Sequence, residues 1–261
     1  MRTSAIAILA AAVFAVVSAA AAPTASAQQA EHPLAPPMPY KPVPVTLPQP
    51  VNDGTYNAFR QQLADIAQKK DRAALAAIVA QNFFWVPEDQ DIADKRKSGI
   101  ENLARAIDLD GPDAPGWEAL TAYANETSAD PLPDPQRKGV PCAPGQPSFD
   151  EKAAMELAAA TKTDPGEWGY PARNGMEVRS GPEDHAPVAE RLGLHLVRVY
   201  PDDTPAGAVH GDVIRIVTPS GKLGFVPIDL ILPLATDQVC YGKDGDAWKI
   251  AGVIGGAAPG R

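Results

Sequence analysis

The chain has 261 residues, of which 23 are basic and 32 are acidic, so its formal net charge at pH 7 is −9. Nucleic acids and anionic membrane surfaces are bound through clusters of lysine and arginine. The densest basic spots, Lys69–Lys70 and Lys95–Lys97, both lie among acidic residues. Composition therefore argues against a protein that binds nucleic acid.

The N-terminal residues have the pattern of a secretory signal peptide. Arg2 precedes an apolar run over residues 6–22, and Ala25-Ser26-Ala27 follows as a small-x-small cleavage site. A permanent membrane anchor is the alternative, but the run is short for a spanning helix and leads directly into the cleavage site. We therefore predict a signal peptide over residues 1–27. The remaining chain should be periplasmic or secreted, without membrane insertion.

The chain contains two cysteines, Cys142 and Cys240. An even count in an exported protein favours a disulfide, and the alternative is a pair of buried free thiols. A bridge would close a loop of about a hundred residues, which is worth about 4–5 kcal/mol in the chain-entropy model. It would also tie the middle of the chain to its C-terminal tail.

Residues 28–51 are rich in proline, which favours extended polyproline II. We predict a linker that acts as a spacer. The alternative is a ligand for a proline-recognising groove, because Pro33/Pro36 and Pro39/Pro42 have the necessary spacing.

Residues 52–165 have helical hydrophobic periodicity and predict a small helical domain. The first helix carries apolar residues three or four positions apart, namely Tyr56, Phe59, Leu63 and Ile66. Asp71 is a favourable N-cap for a second helix, which carries Leu75, Ile78 and Val79. The Phe83–Trp85 run follows and Pro87 ends this segment. Three more helices are predicted over residues 99–109, 117–123 and 149–161.

From about residue 166 the apolar runs become short, β-branched and separated by glycine and proline. Residues 194–200 and 212–218 alternate in polarity, and Pro219–Lys222 forms a turn before another apolar run. This pattern predicts a small β-barrel or sandwich over residues 166–235. In the tail, residues 236–261, two apolar runs flank Lys243–Asp246 and predict a hairpin.

The strand region opens with an apolar-x-Val-Arg-x-Gly-Pro segment and later contains a Gly-Lys-x-Gly-aromatic-Val hairpin. In this order, the segments resemble a bacterial SH3-type (Src-homology-3) domain over about a quarter of the chain. The residues that carry the resemblance include Val178, Arg179, Gly181, Pro182, Gly224 and Phe225. Ile228–Leu230 falls where such domains make a short helical turn. The resemblance implies an α+β fold, with a helical N-terminal domain followed by an SH3-like β-barrel.

The sequence also departs from the SH3 pattern. Phe225 stands where these domains usually have tryptophan, and the connection over residues 201–211 is long and polar. Residues 236–261 extend the chain beyond the last barrel strand. We expect this tail to pack on the helical half.

For several motif residues, the local backbone also explains why that residue type is present. Gly181-Pro182 sets a turn that a β-branched pair could not make, and Gly224 allows a neighbouring backbone to approach closely. Arg179 is expected to pair with an acidic residue across the barrel, whose identity the sequence does not reveal.

The sequence has no hydrolase, zinc-helix or nucleotide-binding motif. Three of its four histidines, His185, His195 and His210, fall in the predicted barrel, with a spacing that does not indicate a metal site. We therefore predict no catalytic residue, no metal site and no cofactor.

Aromatic residues beside an acidic loop suit a peptide or sugar with a free amine. The candidate ligand-binding residues are Trp168, Tyr170, Glu183, Asp184, Tyr200 and Phe225. The alternative is that the four aromatic residues belong to the core.

Three functional hypotheses remain open at this point. The first is a non-catalytic exported protein that binds a cell-wall (peptidoglycan) peptide or an envelope protein through its SH3-type domain. The second is a peptidoglycan hydrolase with a site in the helical half. The third is a structural partner in an envelope complex. The sequence does not indicate the oligomeric state.

Overall fold

The computed structural model of the protein describes residues 35–200 and 212–256. The predicted signal peptide, residues 28–34 of the predicted linker, the 201–211 connection with His210, and residues 257–261 lie outside these ranges. The described residues contain five α-helices and fourteen strands, so the predicted α+β fold class is confirmed.

The helices and strands alternate along the first half of the chain, and strands dominate the second half. The helices are α1 (Gly54–Lys69), α2 (Arg72–Ile78), α3 (Gly99–Ala106), α4 (Gly116–Asn125) and α5 (Glu151–Thr161). The strands are β1 (Val45–Thr46), β2 (Val79–Val86), β3 (Asp130–Pro131), β4 (Pro141–Ala143), β5 (Ser148–Phe149), β6 (Trp168–Pro171), β7 (Met176–Arg179), β8 (Val188–Leu192), β9 (Val197–Val199), β10 (Val213–Val217), β11 (Leu223–Pro227), β12 (Ile231–Pro233), β13 (Gln238–Asp244) and β14 (Ala247–Ile254).

Three sheets organise these strands. A five-stranded sheet has the order β2-β14-β13-β4-β3, a seven-stranded sheet has the order β12-β6-β9-β10-β11-β7-β8, and β1 pairs with β5. In the five-stranded sheet β14 runs parallel to β2, whereas the other pairs are antiparallel. Each larger sheet has its own cluster of buried apolar residues.

The first half of the chain is not purely helical, which corrects the prediction. Asp71 caps α2 as expected, since its carboxylate accepts from the Ala74 amide at 3.0 Å. The helix then ends at Ile78, and Val79–Val86 forms strand β2 beside β14. The partner strand lies more than 160 residues further along the chain, so local periodicity carried no sign of it.

The main core lies between α1–α4 and one face of the five-stranded sheet. Its centre is aromatic: the rings of Tyr56 and Tyr241 meet edge-on at 5.3 Å, and Phe59 contacts Tyr241 at 5.8 Å. Trp248 lies 5.2 Å from Tyr56. The C-terminal hairpin therefore forms the middle of the first half's core, in agreement with the expectation that the tail packs there.

Cys142 and Cys240 form a disulfide, as predicted. They lie opposite each other on β4 and β13, and both are buried. The bridge therefore fastens the hairpin to the middle of the chain. None of the helices within the described ranges combines the length and the apolar character that crossing a bilayer requires.

The seven-stranded sheet is open, which corrects the predicted barrel. Strands β7 to β12 contribute to one buried cluster that includes Val178, Val197 and Val226. The edge strands β8 and β12 are not paired with each other. Strand β6 lies between β9 and β12. It therefore occupies the edge of β9 that would otherwise be available for closing the sheet into a barrel.

The described part of the proline-rich segment packs on the fold and does not extend as a spacer. Val43 and Val45 are buried with Trp168 and Leu196. The Val45 amide donates to the Leu194 carbonyl at 3.0 Å. The segment is held because its few apolar side chains cover β6 and α5, which would otherwise expose their own apolar residues.

Candidate ligand-binding site

A pocket of about 370 Å³ lies beside the first strands of the seven-stranded sheet. Its walls come from the turn at residues 173–175, from β7 and β8, and from Pro227 and Leu230. A volume of this size falls within the usual range for small-molecule and peptide side-chain sites.

Strand alternation explains which side chains face this pocket. Met176 and Val178 are buried in the sheet's own cluster, so Glu177 and Arg179 project to the opposite face. Arg191 lies directly across from Glu177 in the β7–β8 register. The turn before β7 depends on Gly175, which has a φ of +73° and donates its amide to the Leu192 carbonyl at 2.8 Å.

One carboxylate holds two guanidinium groups in place. Glu177 accepts from Arg191 Nη2 at 2.5 Å and from Arg179 Nη2 at 3.4 Å. Arg179 also donates from Nη1 to the Ala186 carbonyl at 2.8 Å. Both arginines remain open to solvent, with side-chain exposures of 37% and 65%.

A third cation completes the charge of the pocket. Arg173 is exposed in the preceding turn and has no hydrogen bond or ion pair among the described residues. Three arginines and a single carboxylate therefore line the pocket. A planar guanidinium matches a carboxylate with two parallel hydrogen bonds, so the pocket is suited to an anionic group.

The structure places the predicted motif residues in different roles. Arg179 lines the pocket, and its carboxylate partner Glu177 lies on the same strand and not across the barrel, which corrects the prediction. Val178 is fully buried in the sheet cluster. Gly224 is needed for close approach, as expected, because a Cβ there would lie 2.2 Å from Val178 Cγ1 and 3.0 Å from the Arg179 carbonyl oxygen.

Gly181 and Pro182 lie in the loop between β7 and β8, together with Glu183 and Asp184. A Cβ on Gly181 would come within 2.5 Å of Glu183 Oε2. Both carboxylates are exposed. Neither of them lines the arginine pocket.

The four predicted aromatic residues do not form one ligand-binding surface, because two of them are core residues. Trp168 and Tyr170 are each 4% exposed and pack with Val43, Leu157 and Leu196. Trp168 also donates from its indole nitrogen to Thr163 Oγ1 at 2.8 Å. For these two residues the structure agrees with the core interpretation.

Tyr200 and Phe225 lie closer to the surface. The Tyr200 ring is 5.1 Å from the Arg198 guanidinium carbon and 5.4 Å from that of Arg215. Phe225 is paired with Arg215 on one side and with Arg179 on the other. The Tyr200 ring therefore lies near two arginines, and Phe225 has an arginine opposite it on each neighbouring strand.

Sequence reasoning missed Arg173 and Arg191 as site residues. Their approach to Arg179 depends on the β7–β8 register and on the turn before β7. The available sign of this site in the sequence was an arginine in each of two adjacent strands, both near one glutamate. It becomes informative only when the pairing of the strands is known.

No group of three or more histidine, cysteine, aspartate or glutamate side chains is arranged to hold a metal ion within residues 35–200 and 212–256. Comparisons with protein families, with curated proteins and with solved structures find no match to this chain.

Proposed function

We propose that this is a non-catalytic, exported binding protein whose seven-stranded sheet contains an SH3-type module. The module binds a carboxylate-bearing cell-wall peptide in the arginine pocket. The observation that carries this proposal is the lining of one pocket by three arginines, Arg173, Arg179 and Arg191, and a single carboxylate, Glu177.

The SH3-type assignment is supported by the order and details of the strands. Strands β8, β7, β11, β10 and β9 are consecutive antiparallel neighbours. Residues Ile228–Leu230 form a short 3₁₀ turn at the position where the resemblance implies one. Gly224 allows β11 to cross close to β7.

Export is supported by two features that belong to different parts of the chain. The Cys142–Cys240 disulfide suits an oxidising compartment such as the periplasm. The N-terminal sequence has the pattern of a cleaved signal peptide.

The charge of the pocket favours a carboxylate over an amine in the ligand. The sequence had suggested an acidic loop with aromatic rings, a combination that attracts amines. Arginines line the pocket instead, and a charge-assisted arginine–carboxylate pair is about twice as strong as a neutral hydrogen bond. A cell-wall peptide or the acidic segment of an envelope protein provides such groups. We propose the cell-wall peptide as the ligand.

The test is co-sedimentation of residues 28–261 with purified peptidoglycan sacculi, with the supernatant monitored for released fragments. We expect the protein to pellet without releasing fragments. Amidation of the sacculus carboxyl groups should abolish pelleting, because it removes the charge that the arginines recognise.

The informative variant is Arg173→Gln combined with Arg191→Gln, since both side chains are exposed. Arg96→Gln is the matched control, because Arg96 is 90% exposed and lies outside the pocket. Equal pelleting by the double variant would contradict the assigned site. Fragment release would overturn the non-catalytic assignment, and a lack of pelleting would favour an envelope protein as the partner.

A further inference from the structure

A second concave site lies on the outer face of the five-stranded sheet. Its volume is about 410 Å³. The helices cover the opposite face, where Phe83, Trp85 and Tyr241 are buried. On the outer face, the small residues Ala80, Gly242 and Ala251 line the site and leave room above the strands.

The charge of this site differs from that of the chain. Although the chain carries a formal charge of −9, the site is lined by five basic and only two acidic residues. The basic residues are Lys95, Arg137, Lys138, Lys243 and Lys249.

Arg137 is held in position before any ligand arrives. Its guanidinium carbon lies 4.5 Å from the centre of the Phe84 ring. It donates to Asp91 Oδ2 at 3.0 Å and also forms an ion pair with Asp134. A group that is already ordered loses less conformational entropy when it binds a ligand.

Asp91 anchors the basic residues and remains ionised while doing so. Burial opposes ionisation of its carboxyl, but hydrogen bonds from the Trp85 and Ala93 amides and from Lys95 hold the pKa below its usual value. The carboxylate accepts from those two amides at 3.0 and 3.1 Å. Asp91 is thus engaged with the protein itself.

The lysines retain hydrogen-bonding capacity for a ligand. Lys249 donates from Nζ to the Ala77 carbonyl at 2.5 Å, which uses one of its three donors. Lys243 contributes least to the cavity, because its Nζ lies 4.8 Å from the centre of the Trp248 ring, which packs on Tyr56 at the helix-covered face. Lys138 is exposed and has no hydrogen bond or ion pair within the described parts of the chain.

The disulfide fixes the loop that carries two of these cations. Arg137 and Lys138 lie between β3 and β4, and Cys142 of β4 is bonded to Cys240 of β13. The loop and the sheet floor are thereby held together, so the cations converge on one cavity.

We propose that this cavity binds a ligand with two adjacent phosphate groups, such as a pyrophosphate moiety. Lysine ammonium groups act as point charges for phosphate, and a fixed arginine adds paired donors. Lys95, Lys138 and Lys249 beside one fixed arginine therefore favour phosphate, whereas the arginine pocket of the seven-stranded sheet favours carboxylate.

The test is calorimetric titration of residues 28–261, with the disulfide intact, using sodium pyrophosphate at low ionic strength. We expect saturable binding at one site. Lys138→Gln should weaken binding by about tenfold, because it removes one charge-assisted hydrogen bond to the ligand.

Lys152→Gln is the matched control, since Lys152 is 84% exposed on α5, outside this cavity. It removes the same charge and should leave binding unchanged. An equal loss in the control, or the absence of saturable binding, would overturn the proposal. Citrate binding as tight as that of pyrophosphate would refute the preference for phosphate.

Two sources of the ligand are separated by a vesicle assay. If the protein pellets with phosphatidylcholine vesicles that contain phosphatidic acid, and pyrophosphate competes, the site takes a lipid headgroup. Pyrophosphate binding without pelleting indicates a soluble phosphorylated ligand. Pelleting without pyrophosphate binding contradicts the assigned site. The variants at Arg173 and Arg191 should bind pyrophosphate normally, so this test is independent of the carboxylate site.

Discussion

At the scale of single residues, Arg198 is the most deeply buried charged side chain within residues 35–200 and 212–256. It is 2% exposed and donates from Nε and Nη2 to Glu167 Oε2 at 2.9 and 2.8 Å. It also reaches the Pro36 carbonyl at 3.4 Å. This one side chain therefore links β9, the 3₁₀ turn at residues 165–167 and the N-terminal segment.

We expect Glu167→Gln to lower the free energy of unfolding by about 3 kcal/mol, because it leaves a buried guanidinium without its countercharge. Glu156→Gln is the control, since its pair with Lys152 spans 3.9 Å and is largely exposed. That change should cost less than about 1 kcal/mol. Urea unfolding curves measure both values, and equal costs would contradict the importance assigned to the buried pair.

At the scale of secondary-structure elements, the C-terminal hairpin has the largest structural role. Strands β13 and β14 lie between β2 and β4, and the Cys142–Cys240 bridge joins β13 to β4. The two cysteines are 98 residues apart in sequence. The hairpin thus connects the end of the chain to elements formed by its first half.

The double variant Cys142→Ser, Cys240→Ser should be less stable by about 4–5 kcal/mol, because the closed loop restricts the unfolded chain. Chemical denaturation of oxidised protein, reduced protein and the double variant measures this loss. Reductant should lower the stability of the natural chain and leave that of the double variant unchanged. If reductant also lowered the stability of the double variant, the loss in the natural chain would have a cause other than the disulfide.

At the scale of the whole molecule, the aromatic core makes the folded protein less stable as the pH becomes alkaline. Burial raises the pKa of Tyr56 to about 12 and raises that of Tyr241 well above its usual value. The hydroxyl groups of both tyrosines have no hydrogen-bond partner among the described residues. Ionisation of either group therefore requires the main core to open.

The sign follows from the raised pKa in the folded state. The protonated tyrosine hydroxyl contributes to the free energy of unfolding. This contribution is complete below the unfolded-state pKa of about 10 and is lost as the pH rises towards about 12. Unfolding curves between these limits, with tyrosinate absorbance as a second probe, should show a steep loss of stability. Tyr56→Phe should change stability little at neutral pH and should reduce the alkaline loss. An unchanged alkaline loss in this variant would exclude Tyr56 as its source.

Much of the local structure could be predicted from the sequence, because it depends on neighbouring residues. The apolar spacing of Tyr56, Phe59 and Leu63 predicted α1, and Asp71 was predicted as the cap of α2. The Lys243–Asp246 turn was predicted and connects β13 to β14. In each case the interactions span only a few positions along the chain.

The features that were predicted incorrectly depend on distant partners. Val79–Val86 became a strand because β14 provides its hydrogen bonds. The seven-stranded sheet remained open because β6 lies between β9 and β12. The proline-rich segment packed down because β6 and α5 offered it an apolar surface.

The candidate sites follow the same division. The sequence by itself determined the acidic overall charge, the paired cysteines, and the alternation that directs Glu177 and Arg179 away from the core. Only the tertiary structure decided that Arg173 and Arg191 join Arg179, and that five basic residues from distant segments line one cavity. The physical reason is that a binding site is set by the distances between side chains, and these distances depend on strand register and sheet order.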